Sequence, residues 1–136
     1  IIREETTFLY VEDDARSREV MELIMTMAMG VKNLVMFENS TEFASRLAAL
    51  SPMPNVILLD IHVKPYDGFE MLRMIREHPT LKNATVIALT ASVMNEEVEM
   101  MRTRGFDGAI GKPLSMSLFP DLIKRVIEGQ SVWHTT

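Results

Sequence analysis

NVILLDIHVKPYDG, residues 55–68, decides the fold. Val56, Ile57, Leu58 and Leu59 run without polar alternation and stop at a carboxylate, Asp60. Strands buried on both faces read this way, and parallel sheets are built from such strands. Asp67-Gly68 then signals a turn, and helical spacing follows to residue 77, ending before His78-Pro79. A chain that drives an acidic side chain to the end of a buried strand does so for a cap or for a reaction.

The same apolar texture recurs along the chain. TTFLYV (6–11), NLVMF (33–37), NVILLD (55–60), ATVIALT (84–90) and the short GAIG (108–111) all read as strands. Helix-period segments lie between them. Residues 15–29 carry an apolar stripe at Val20, Leu23, Ile24, Met27 and Ala28, with Gly30 as the stop. Residues 40–50 start at Ser40 as a cap and end before Ser51-Pro52. Residues 67–77 start at Asp67-Gly68. Residues 94–104 place Glu96 and Glu97 early and Arg102 and Arg104 late, which suits the helix dipole. Residues 115–128 carry Leu118, Leu122, Val126 and Ile127 on one stripe, with Pro120 tolerable near the start. Strand and helix thus alternate five times. That order implies right-handed crossovers and a parallel sheet covered by helices on both faces. The tail SVWHTT is expected to fray or to lead into a linker.

Composition sets the outer limits. The 136 residues suffice for one domain and hardly for two. Apolar residues make up 47% and charged residues 24%, the balance of a globular domain with an ordinary core. There is no cysteine, which excludes disulfides and thiolate metal sites and fits a reducing compartment. The net charge of -5 argues against a surface that coats nucleic acid. No apolar run reaches the roughly 18 residues of a membrane span, and no signal-peptide pattern is present. Among the twelve methionines, Met21, Met25, Met71 and Met74 fall on apolar helix faces as core fillers. The chain begins at Ile1 rather than Met, as a fragment of something longer would.

In sheets of this kind, sites form outside the carboxyl ends of the strands. Glu12-Asp13-Asp14 follows the first strand, Asp60 ends the third, Thr90 ends the fourth and Lys112-Pro113 follows the fifth. Bringing Glu12, Asp13 and Asp60 together costs like-charge repulsion. A pair at ~4 Å costs about 1 kcal/mol in water and about 4 at an effective dielectric near 20. Lys112 offsets one charge, and a divalent cation is the natural missing partner. Oxygen ligands without cysteine favour Mg²⁺ or Mn²⁺ over zinc. A carboxylate beside a divalent cation and a lysine suits phosphoryl transfer, with Thr90 as a hydroxyl donor to a phosphoryl oxygen. Each piece alone has an ordinary reading: helix-capping acid, loop cap, strand end, surface turn. Four strand ends that each supply one part of the same chemistry are hard to obtain by accident.

These residues carry a resemblance. VEDD (11–14), LLDIHVKPYDG (58–68), VIALTAS (86–92) and GFDGAIGKP (105–113) resemble the receiver domain of bacterial two-component response regulators, over residues 6 to 128. The resemblance implies a doubly wound α/β domain over residues 1–130 with flavodoxin-like strand order 2-1-3-4-5, and residues 131–136 as a tail or linker stub. It implies that Asp60 accepts a phosphoryl group from a histidine kinase or histidine phosphotransfer protein. Glu12 and Asp13 match the acidic pair that holds Mg²⁺, with Asp60 and the backbone carbonyl of His62 as further ligands. Thr90 matches the switch hydroxyl, Lys112 the lysine that pairs with the phosphoryl group, and Pro113 a proline that follows a cis peptide. His62 and Ser92 match positions whose side chains set how long the phosphoryl group survives.

Two departures stand out. Pro65 lies one residue later than the family's usual proline, which bears on the loop after Asp60. Ala109 replaces an aromatic whose rotamer follows the threonine in many members, so a switch here reads out another way. The resulting expectation is a cytoplasmic signalling phosphoprotein whose only catalysis is its own phosphoryl transfer and dephosphorylation. It binds no nucleic acid directly and no membrane. No output segment is visible within the 136 residues, so a stand-alone receiver or one cut from a regulator or hybrid kinase is expected. A homodimer through the 94–128 face is open to it, although nothing in the sequence demands one. The alternative is a receiver-like interaction module that works without phosphorylation. A flavodoxin-type site would want a hydroxyl- and glycine-rich loop after the first strand, and an Asp-nucleophile phosphatase a second Asp where His62 stands.

Overall fold

The computed structural model describes residues 5–91 and 94–134. Five strands fall where the apolar runs place them: β1 (Thr7–Val11), β2 (Asn33–Phe37), β3 (Val56–Asp60), β4 (Thr85–Thr90) and β5 (Gly108–Gly111). The helices are α1 (Ala15–Leu23), α2 (Phe43–Ala48), α3 (Gly68–Glu77), α4 (Asn95–Arg104) and α5 (Phe119–Ile127). A sixth strand, β6 (Val132–His134), follows α5. All six pair in parallel in the order β2-β1-β3-β4-β5-β6.

Every residue of β1 and β3 is buried, the state their unbroken apolar runs predict. Alternate residues point to opposite faces and build two cores. Leu9, Val11, Ile57, Leu59, Val86, Ala88 and Ala109 meet α2, α3 and α4 on one face. Phe8, Tyr10, Leu58, Ile87, Leu89 and Ile110 meet α1 and α5 on the other.

Five expectations need correction. The sheet has six strands rather than five, because Val132 and Trp133 have an apolar place on either face and pair with Gly108 and Ala109. The tail expected to fray therefore contains a strand. The α1 stripe is out of phase: Leu23 and Met27 are 48% and 77% exposed, while Met21, Ile24 and Met25 are buried. Two apolar stripes compete on this helix, and the one spaced 21-24-25 faces the sheet. A π-helical turn over Ile24–Ala28 ends the helix, with Met29 N–H donating to Ile24 O at 3.0 Å. In the last helix, Ser115 Oγ accepts from Leu118 N and holds a preceding turn, so α5 starts at Phe119 and Leu118 is exposed. The buried stripe is Phe119, Leu122, Ile123 and Val126. Ser40 is no helix cap. It is fully buried and its hydroxyl bridges Tyr66: Tyr66 N–H donates to Ser40 Oγ, which donates to Tyr66 O, both at 2.7 Å. Glu42 precedes α2 in the left-handed region instead.

Gly108 explains the short β5 run. A Cβ there would lie 2.9 Å from the carbonyl oxygen of Val132 and 3.0 Å from Val126 Cγ2. Gly108→Ala is expected to lower stability by about 1–3 kcal/mol through overpacking. A urea midpoint equal to that of the parent chain would show that β6 and α5 do not approach β5 this closely.

Candidate functional site

Parallel register sets the site. Val11, Leu59, Ala88 and Ala109 stand side by side across β1, β3, β4 and β5. Glu12 and Asp60 come one residue later, Asp13 and Thr90 two later, and Lys112 three later. Four strands therefore deliver their polar residues to one edge. The carboxylates of Glu12, Asp13 and Asp60 each offer an oxygen within 4.8 Å of the others. Glu12 is 1% exposed and Asp60 7%, whereas Asp13 opens to solvent.

Lys112 joins two of the acids. Its Nζ donates to Glu12 Oε1 at 2.7 Å and lies 3.7 Å from Asp60 Oδ2. Burial pulls the Lys112 ammonium down, but the hydrogen bond to Glu12 and the charge of Asp60 outweigh it and raise its pKa above the ordinary 10.5. The stability this ammonium supplies is thus fully present below pH 10.5 and is lost as pH rises through the raised value. Backbone bonds hold both ends of the bridge. Lys112 N–H donates to Thr90 O at 2.8 Å, and Glu12 N–H donates to Phe37 O at 3.0 Å. The Lys112–Pro113 peptide is cis.

Tyr10 belongs to this cluster and the sequence reading missed it. Its hydroxyl donates to Glu12 Oε1 at 2.9 Å from a fully buried position. Burial, then the charge of Glu12, pushes the phenol far above its usual range, so it stays protonated and donates. The available signal was a tyrosine two residues before an acid in a strand, which puts both on one face. Arg18 was missed as well. Its Nη1 donates to the Glu12 carbonyl at 2.8 Å from the first turn of α1. Asp14 caps α1, accepting from the Ser17 hydroxyl at 2.7 Å and from Ser17 N–H at 2.9 Å. Those two bonds lower its pKa, so its contribution is present above pH 3.8 and fades as pH falls through the lowered value.

The loop after Asp60 is pinned from two sides. Ser40 N–H donates to Lys64 O at 3.2 Å, beside the Ser40–Tyr66 bridge. Gly68 N–H donates to Ile61 O at 2.9 Å, and a Cβ at Gly68 would meet Ile61 Cδ1 at 2.7 Å. Pro65, the displaced proline, follows a cis peptide in this pinned loop. Asp67 and Glu70 form a reciprocal capping box on α3. His62 N–H lies 3.4 Å from Asp60 Oδ1. The His62 ring is largely exposed, with Nε2 3.6 Å from Glu97 Oε1 on α4. Thr90 is fully buried at the end of β4, next in register to Gly111. Ser92 lies outside the described residues.

Three carboxylates against one ammonium leave room for more positive charge, and an all-oxygen donor set fits a hard divalent cation such as Mg²⁺. Asp13 and Asp60 present the oxygens least committed to neighbours, while Glu12 is already bonded to Tyr10 and Lys112. No helix among the described residues is long and apolar enough to cross a membrane.

Comparison with known proteins follows the same outline. The family model for the response regulator receiver domain matches residues 8–124. The hybrid signal transduction histidine kinase D of Dictyostelium discoideum is 29% identical over 121 residues, covering 85% of this chain and 8% of that protein. The polar-differentiation response regulator DivK of Brucella ovis is 34% identical over 71 residues, covering 52% of this chain and 58% of DivK. The chain thus spans less than two-thirds of these relatives' lengths. The receiver domain of a sensor histidine kinase from Pseudomonas aeruginosa PAO1, solved with a magnesium ion coordinated in its active-site cleft, superposes with a TM-score of 0.77 at 21% identity, covering 90% of this chain and 98% of that one.

Asp13→Asn removes one of the three like charges. In metal-free buffer it is expected to raise stability by about 1 kcal/mol, the scale of one such repulsion in water. The same change should abolish most of the stabilisation that Mg²⁺ gives the parent chain. Thermal melts in EDTA and in Mg²⁺ read both effects, and equal melts of the two proteins in both buffers would contradict the repulsion.

Proposed function

The chain belongs to the response regulator receiver domains of two-component signalling, and from that premise we propose that Asp60 accepts a phosphoryl group from a phosphohistidine donor. The observation that carries this reading is one buried carboxylate, Asp60, with a lysine ammonium 3.7 Å away and two further acids within 4.8 Å. An Asp60 carboxylate oxygen attacks the phosphorus, a P–O bond forms, and the P–N bond to the donor imidazole breaks. The imidazole leaves with the electron pair and takes a proton. Asp13, Asp60 and the His62 carbonyl, with Glu12 behind them, would hold a Mg²⁺, which would supply positive charge against the phosphoryl oxygens.

The protein's own groups do the rest. Lys112 shifts from Glu12 toward the phosphoryl oxygens, and Tyr10 keeps Glu12 satisfied as it does so. Thr90 donates its hydroxyl to the phosphoryl group from the end of β4. The donor protein enters over the cleft of ≈ 220 Å³ beside Lys112, between α1 and Pro113–Leu114. The added negative charge is then read by a partner or an output segment. His62, poised between Asp60 and Glu97, sets the lifetime of the acyl phosphate, and the side chain of Ser92 acts with it.

Incubation with labelled acetyl phosphate and Mg²⁺ tests the reading. The parent chain should incorporate label, and Asp60→Asn or excess EDTA should abolish it. Label retained by Asp60→Asn would overturn the assignment. His62→Ala should change the decay rate of the label, and an unchanged rate would remove His62 from the mechanism.

A further inference from the structure

The segment between β2 and α2 supplies none of the site's charged groups, yet it is bonded to both sides of the site. Phe37 O, at the end of β2, accepts from Glu12 N–H at 3.0 Å. Three residues on, Ser40 reaches the loop after Asp60 with three hydrogen bonds. Its N–H donates to Lys64 O at 3.2 Å, its hydroxyl oxygen accepts from Tyr66 N–H at 2.7 Å, and the same hydroxyl donates to Tyr66 O at 2.7 Å. A serine hydroxyl carries one proton and two lone pairs, so one side chain satisfies both backbone groups of Tyr66. Glu38, Asn39, Thr41 and Glu42 around it are exposed, and Ser40 alone turns inward and is fully buried.

The loop depends on that bridge along one limb. Ile61 and Val63 are buried and anchor the first limb in the core, with Gly68 N–H closing onto Ile61 O at 2.9 Å. His62 sits between those two anchors. Lys64, Pro65 and Tyr66, on the returning limb, are exposed. The described residues give the backbone of this limb no hydrogen bonds other than those of Ser40. Ser40 is braced in turn by Arg46. The Arg46 Nη1 donates to Asn39 O at 3.2 Å, to Asn39 Oδ1 at 3.0 Å and to Thr41 O at 2.8 Å, and the guanidinium lies 4.1 Å from the Phe37 ring centroid. Glu42 follows with a φ of 52°, a left-handed conformation that a glutamate keeps only where its surroundings fix it.

Phe37 and Ser40 thus set the distance between Glu12 and the loop that follows Asp60 and carries His62. A hard cation is sensitive to that distance. Mg²⁺ takes oxygens at about 2.1 Å in near-octahedral order, whereas Ca²⁺ takes them at about 2.4 Å in flexible arrangements. We propose that Ser40 is a positioning residue that, braced by Arg46, holds the loop after Asp60 to the geometry of the smaller cation and so fixes the choice of Mg²⁺ over Ca²⁺ at the acidic edge. This role of Ser40 rests on the reading of that edge as a cation site.

Amide-resonance titrations of the parent chain, Ser40→Ala and Arg46→Ala, with Mg²⁺ alone and with Ca²⁺ alone, test the role, beside amide exchange of the metal-free proteins. Ser40→Ala should weaken Mg²⁺ binding about tenfold, the low end of what residues behind metal ligands contribute, and leave Ca²⁺ binding nearly unchanged. Tyr66 N–H should exchange faster while β1 and β3 keep their protection. Arg46→Ala, which leaves Ser40 in place, should move the ratio of the two affinities in the same direction by a smaller factor. A general loss of structure would weaken both cations alike, so an unchanged ratio in Ser40→Ala overturns the proposal. Should Ser40→Ala fail to fold, an unchanged ratio in Arg46→Ala overturns it. A parent chain that prefers Ca²⁺ overturns the choice assigned to Ser40 and leaves the cation site standing. A parent chain that binds neither cation overturns the site itself, and the role of Ser40 with it.

Discussion

Everything at the functional edge follows from holding like charges where the sheet puts them. The ladder from β1 through β3 and β4 to β5 leaves Glu12, Asp13 and Asp60 no freedom to separate, and their oxygens converge within 4.8 Å. Two apolar cores, one on each face, supply the energy that offsets this repulsion. The protein relieves part of it locally. Glu12, the most deeply buried acid, takes both the Lys112 ammonium and the Tyr10 hydroxyl on one oxygen. Asp60 is left with a longer approach of 3.7 Å to the same ammonium. Of the two buried acids, the one expected to react is thus the one with less local compensation.

That imbalance links electrostatics to chemistry. A carboxylate whose charge is fully neutralised by hydrogen bonds is a poor nucleophile and a poor cation ligand. Asp60 keeps its charge available because its neighbours are committed elsewhere. The cost in stability is borne by a scaffold whose central strands are wholly buried. The same site touches a helix with a single fully buried side chain, so a change of charge at Asp60 meets its softest resistance at α4 rather than in the sheet.

Much of this was legible in the residues. The five apolar runs matched β1 to β5 almost to the residue, because strands buried on both faces write their boundaries in unbroken Val, Ile and Leu. That Glu12, Asp13, Asp60, Thr90 and Lys112 come to one edge was legible because strand ends in a parallel sheet share it. The misses have physical causes. In α1 two apolar stripes differ by a small rotation, and only the sheet chooses between them. Ser40 carries the signature of a cap, but its hydroxyl finds a better partner in Tyr66, 26 residues away. Tyr10 looked like core because it is core, with one polar atom aimed at Glu12. Trp133 sits in a segment too short and too polar to read as a strand, and its place depends on the absence of a side chain at Gly108 and the small one at Ala109. Long-range partners of this kind leave no local pattern.

The central claim is that an acyl phosphate forms on Asp60. Borohydride reduces such a bond and leaves a stable mark on the residue that carried it. The chain should therefore be treated with acetyl phosphate and Mg²⁺, reduced with tritiated borohydride, digested and mapped by mass. The account predicts tritium confined to the peptide that contains Asp60. Tritium on Glu12 or Asp13, or a base-stable phosphoryl group on His62 with no reducible one on Asp60, would contradict it.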